Sequence, residues 1–173
     1  MTYNWTMTVS SLAVEKLVVA RHGTYVSGHL DDRGEENVRG LAAQIGIFLG
    51  PDYTQHGVTL VLSSEATRAR ETADIISELL GLTCISSVAL GDEHGKEFLG
   101  SWVAERLASF LNSYQGIIAV THEPQTDYLP EYMHPNVRGG QGRMRYTCAH
   151  GFDQAGNDFL ITPNEITPPR RMK

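Results

Sequence analysis

The sequence predicts an α/β fold, a three-layer α/β/α sandwich around a mostly parallel central sheet. Short, apolar, β-rich runs alternate with longer stretches of helical period, and each helical stretch ends at a glycine or proline. The strand candidates are near-continuous apolar runs, as expected for parallel strands buried on both faces. With 41% apolar and 20% charged residues over 173 positions, the chain has the material for one core. It reads as one domain over residues 1–173, with a core at about 14–162 and a proline-containing, basic tail at 163–173 expected to be poorly ordered.

The first strand is placed at Val14 to Ala20, followed by a loop from Thr24 to Leu30. Val38, Leu41, Ala42, Ile45, Phe48 and Leu49 then fall on one helical face, with a start near Asp32, an Asp32/Glu35 capping pair and a stop at Gly50-Pro51. Val58 to Leu62 is the second strand. Ala69, Thr72, Ala73, Ile76, Leu79 and Leu80 mark a helix that Gly81 terminates, and Leu82 to Leu90 is the third strand. Leu99, Val103, Leu107, Phe110 and Leu111 mark another helix, before a compact strand at Gly116 to Thr121. Tyr146 to Phe152 and Phe159 to Thr162 are expected to pair as a hairpin extending one edge of the sheet.

Fourteen Lys and Arg stand against 20 Asp and Glu, a net charge of −6, with the basic residues dispersed, which disfavours nucleic-acid or anionic-membrane partners. The apolar stretches fall far short of the roughly 18 residues of a membrane span. The N-terminal residues carry no basic segment followed by an apolar one, so a cytoplasmic protein is expected. Cys84 and Cys148 lack the close pairing of a zinc or redox motif, and His56, His94, His134 and His150 lack metal-ligand spacing. No metal or cofactor is expected, and a monomer and a dimer are equally compatible with the sequence.

In an open parallel sheet, ligands bind beyond the carboxyl ends of the strands. Arg21, His22 and Gly23 follow the first strand; Ser63 and Ser64 follow the second, with Arg68 shortly after; Thr121 and His122 end the strand at 116–121. Two arginines and two histidines thus share one edge. The planar arginine fork suits phosphate oxygens, a neutral imidazole is a competent nucleophile toward phosphorus, and a second, protonated imidazole can donate to a non-bridging oxygen. Gly23 would let the backbone approach the phosphate closely. Arg39 and Arg70 read as solvated helix charges, Arg33 as an exposed residue able to reach a substrate at the rim, and Gly139-Gly140-Gln141-Gly142 as a flexible loop.

Arg21-His22-Gly23 resembles the RHG signature of the histidine phosphatase superfamily, the phosphoglycerate mutase-like proteins. Leu30-Asp31-Asp32-Arg33-Gly34 resembles the start of that family's first helix, and Ser63 to Ala73 resembles its serine-proline-x-x-arginine-alanine-x-x-threonine-alanine segment. His122-Glu123-Pro124 completes the set, so the likeness covers roughly positions 14 to 125. It implies that His22 becomes phosphorylated and that Arg21, Gly23, Arg68 and His122 form the phosphate pocket with it. It also implies a carboxylate proton donor after the third strand, for which Glu93 is the first choice and Asp92 the second. The short chain and the His-Glu-Pro segment resemble the small SixA-type phosphohistidine phosphatases. The implied activity is metal-independent removal of a phosphoryl group from a phosphorylated small molecule or a phosphoprotein. The alternatives are a phosphate- or phosphoprotein-binding module without turnover and a phosphoglycerate mutase.

Overall fold

A computed structural model describes residues 12–93 and 98–169. Strands β1 (Lys16–Arg21), β4 (Thr59–Ser63), β5 (Thr83–Ser86) and β6 (Gly116–Thr121) form the parallel part of a seven-stranded sheet in the order β5-β4-β6-β1-β7-β8-β9. Strands β7 (Ala149–Phe152), β8 (Asp158–Ile161) and β9 (Ile166–Thr167) continue it antiparallel from β1. The hairpin expected at one edge is therefore present and lies directly beside the first strand. A separate two-stranded ribbon, β2 (Tyr25–Val26) with β3 (His29–Leu30), occupies the segment read as a loop.

The central strands are apolar throughout because both faces are covered. Leu17, Val19, Leu60, Leu62, Ile117 and Ala119 face helices α3 (Phe98–Ser113) and α4 (Gln125–Met133). Val18, Ala20, Val61, Ile118 and Val120 face α1 (Asp32–Leu49) and α2 (Thr67–Leu80). Full burial of a side chain of the size of Leu17 or Ile118 is worth about 1.5–3 kcal/mol, and these residues have no accessible surface. Packing of this kind holds the carboxyl ends of β1, β4 and β6 in register, and the functional side chains hang from those ends. No helix among the described residues is long and apolar enough to cross a membrane.

Three expectations are corrected, and one helix goes beyond them. The third strand stops at Ser86, where its pairing with β4 ends, and Val88–Leu90 forms a 3-10 turn instead. The N-cap of α1 is Asp31, not Asp32, its Oδ1 accepting from Gly34 N at 2.6 Å. Helix α4 was not foreseen, because Pro130 lies inside it; Tyr128, Leu129 and Met133 nevertheless bury against the α3 side of the core. The tail begins later than position 163: Ile166–Thr167 pairs with β8 and Ile166 packs against the core, while residues 170–173 lie outside the described residues.

Candidate active site

His22 follows β1 directly and is 3% exposed. Its Nδ1–H donates to the Gly23 carbonyl at 2.9 Å, which leaves the lone pair on Nε2, and that atom accepts from Arg68 Nε at 3.1 Å. A neutral imidazole with this tautomer presents a nucleophilic nitrogen to the cation that would hold an anionic group in front of it. Burial, supplemented by the neighbouring charges of His122, Arg68 and Arg21 and opposed by the bond to Gly23, lowers the His22 pKa to about 4.

His122, also 3% exposed, follows β6 with its ring centroid 4.9 Å from that of His22. Arg68 Nη2 donates to its Nδ1 at 3.4 Å, so the proton sits on Nε2 and is given to Ser64 Oγ at 2.7 Å. Ser64 Oγ also accepts from Ala66 N at 3.1 Å, which ties the end of β4 to the start of α2. Burial pushes the His122 pKa down to about 4, with Asp92 and Glu93 opposing and Arg68 and Arg21 assisting. In the free protein both histidines are therefore neutral near pH 7. A dianion at the site would favour the protonated form.

Arg68 stands in the first turn of α2 and is the hub of the site. Besides the two histidines it reaches Asp92 Oδ2 at 2.8 Å, and its Cζ lies 4.8 Å from the Tyr25 ring centroid. Glu93, the first-choice acid, curls back over Gly91, and its charge and that of Asp92 both reach His122. Asp92 is the carboxylate that touches Arg68. Arg21 turns the other way: Nη1 donates to the Met144 carbonyl at 2.7 Å, and its Cζ stacks 3.8 Å from the Tyr146 ring centroid. Arg21 Nε is buried without a partner.

Gly23 meets a packing requirement at the site. Its N–H is committed to Thr72 Oγ1 at 3.1 Å, and a Cβ there would meet Leu30 Cδ2 at 2.9 Å and Val38 Cγ2 at 3.0 Å. It allows close packing of the loop on α1 and α2. Tyr25 and Tyr146, whose ring centroids lie 5.2 and 5.4 Å from that of His22 and 6.1 Å from each other, were not singled out from the sequence. Ser64 was visible as a residue following a strand, but nothing local links it to His122, which is 58 positions away.

The two buried imidazoles make stability depend on pH. Between the ordinary histidine value of 6.5 and about 4, the unfolded chain binds protons that the folded protein excludes. Stability is therefore expected to fall as pH drops through that window, by up to about 3 kcal/mol per histidine, and to be fully present above it. Urea unfolding at pH 7 and pH 4.5 checks this: the loss should be smaller in the His22→Asn/His122→Asn protein, and an equal loss would exclude these two groups as its source.

No protein-family model matches the chain, and neither does any curated protein. Solved structures do. The protein histidine phosphatase SixA complexed with tungstate superposes with a TM-score of 0.62 at 15% identity, covering 86% of this chain and 97% of that one. A protein of Agrobacterium tumefaciens assigned as the phosphohistidine phosphatase SixA gives 0.58 at 18% identity, covering 88% and 97%. The mycobacterial glucosyl-3-phosphoglycerate phosphatase in complex with VO3 gives 0.53 at 15%, covering 86% and 97%. The chain therefore has the phosphoglycerate mutase-like α/β fold. It shares that fold with phosphatases of the SixA type.

Proposed function

We propose that this chain is a histidine phosphatase that hydrolyses phosphomonoesters or phosphohistidine through a phosphohistidine intermediate on His22. The observation that carries the reading is the orientation of His22, whose Nδ1–H is tied to Gly23 O while Nε2 faces Arg68 beside His122. The likeness in fold to SixA and to the glucosyl-3-phosphoglycerate phosphatase supports it.

In the first half-reaction the Nε2 lone pair attacks phosphorus in line. The bond from phosphorus to the leaving oxygen or nitrogen breaks, and Arg68 and His122 stabilise the charge on the non-bridging oxygens. Arg68 lends its N–H groups to those oxygens and thereby releases Asp92. Asp92, the carboxylate in contact with Arg68, is assigned as proton donor to a leaving alkoxide, with Glu93 next to it. In the second half-reaction water attacks the phosphorus, the N–P bond breaks to regenerate His22, and the water proton passes to the Asp92 carboxylate.

The test is phosphate release from p-nitrophenyl phosphate, phenyl phosphate and a phosphohistidine peptide with a chelator present. Turnover is expected on at least one. Failure on all three, with inorganic phosphate still raising the unfolding temperature, would replace the enzyme by a binding module. Transfer of phosphate between the positions of a phosphoglycerate without net release would indicate a mutase. If Asp92 is the donor, Asp92→Asn lowers kcat/KM, which reports the first half-reaction alone, by about 10²-fold or more on phenyl phosphate and much less on p-nitrophenyl phosphate, whose leaving group needs little protonation. The same selective loss in Glu93→Gln but not in Asp92→Asn would move the donor to Glu93.

A further inference from the structure

Tyr146, whose ring centroid lies 5.4 Å from that of His22, also lines a cavity of about 660 Å3 together with Arg21. Its charged lining is all of one sign: Arg21, Arg33, Arg143 and Arg145, with Asn37 and no carboxylate. Among the described residues none of Arg33, Arg143 and Arg145 is in an ion pair, although the chain carries a net charge of −6. Arg33, Arg143 and Arg145 are exposed, and like charges gathered on one concavity favour an anion there. The buried, unpartnered Nε of Arg21 is a second sign of a donor without its acceptor.

The wall is built rather than incidental. Arg143 and Arg145 flank Met144, which is 3% exposed; its N–H donates to Glu123 Oε1 at 2.7 Å and its carbonyl accepts from Arg21. The same segment is fastened at Gln141 and Gly142 by Asp127 and at Thr147 by the His22 carbonyl, at 3.2 Å. Gly139 to Gly142, expected to be a flexible loop, has no helix or strand but is tied to α4 through Asp127. Arg33 and Asn37 stand opposite, on α1, one turn apart.

We propose that this cavity is a second anion subsite, which binds a carboxylate or phosphate on the leaving part of a small-molecule substrate while His22 attacks the phosphoryl group. The inference rests on the phosphatase reading and names its substrate class: phosphomonoesters that carry a second anionic group. Guanidinium forks suit both oxyanions, and a volume of about 660 Å3 holds a small organic group rather than a folded partner.

A matched set of substrates tests it: phenyl phosphate, 3,5-dicarboxyphenyl phosphate and 1,3-phenylene bisphosphate. The unmodified protein should show kcat/KM at least tenfold higher for one of the two anionic compounds than for phenyl phosphate, and which one it is identifies the anion. In Arg143→Gln/Arg145→Gln this ratio should fall at least tenfold, through KM. A ratio near one, a ratio unchanged in the variant, or a stronger preference for an acidic phosphopeptide overturns the proposal. The His22→Asn protein supplies a readout free of turnover, since calorimetry gives its affinity for the same three compounds. Preference for the anionic compounds there, abolished by Arg143→Gln/Arg145→Gln, sustains the subsite even if no compound is hydrolysed. Turnover without any preference leaves the phosphatase reading intact and removes the subsite.

Discussion

His22→Asn is expected to lower phosphate release by at least about 10⁴-fold and to abolish any trapped phosphoenzyme. The size follows from what is lost. Asparagine cannot supply a lone pair to phosphorus, so the covalent route closes and only the electrostatic contribution of Arg68 and His122 remains. The fold should survive, because the His22 ring makes one hydrogen bond to its own loop and one to Arg68, and the apolar strands below it are untouched. The phosphoenzyme is acid-labile at nitrogen, so the trap is an alkaline quench of labelled substrate. The pH profile adds an independent check. With the His22 pKa at about 4, the nucleophile stays neutral well below pH 6, and kcat/KM should not decline at the ordinary histidine value of 6.5 on its account. A variant that keeps more than a hundredth of the activity places the nucleophile elsewhere.

That site was legible in the sequence to the extent that parallel topology made it so. β1, β4 and β6 each end in polar residues, and adjacent parallel strands bring those ends to one edge, so Arg21, His22, Ser64, Arg68 and His122 could be collected without coordinates. Tyr146, Arg143 and Arg145 could not be. They reach the edge because β7 runs antiparallel beside β1, with Ala20 opposite Ala149, and nothing near residue 146 announces that pairing. The ribbon of β2 and β3 was missed because each strand has only two residues, too short for an alternation to show. Helix α4 was missed for a local reason as well: a proline within nine residues argues against a helix, and burial of Tyr128, Leu129 and Met133 overrides it. Glu93 and Asp92 are adjacent in sequence and both carboxylates, and the contact of Arg68 with Asp92 is visible only in the folded chain.

Arg68→Gln is the second large effect expected, a loss of about 10³-fold or more in kcat/KM, and it differs in kind from the loss of His22. The guanidinium touches His22 Nε2, Asp92 and His122 at once, so its removal withdraws charge from the phosphoryl group and unpairs the carboxylate. Both half-reactions require that charge, so kcat should fall as well as kcat/KM, whereas loss of uniform substrate binding alone would raise KM with kcat unchanged. Arg68→Lys should recover only part of the rate, because an ammonium keeps the charge but not the planar set of donors that spans three partners. The pH profile separates an electrostatic role from a structural one. The Arg68 charge is one of the causes that depress the His22 and His122 pKa values, so in Arg68→Gln both groups titrate higher and the acid limb of kcat/KM moves up from about 4. In Arg68→Lys the limb should stay nearer its original position. If Arg68→Gln loses less than tenfold and its acid limb does not move, Arg68 only packs against Tyr25, and the charge that faces the phosphoryl group must come from Arg21.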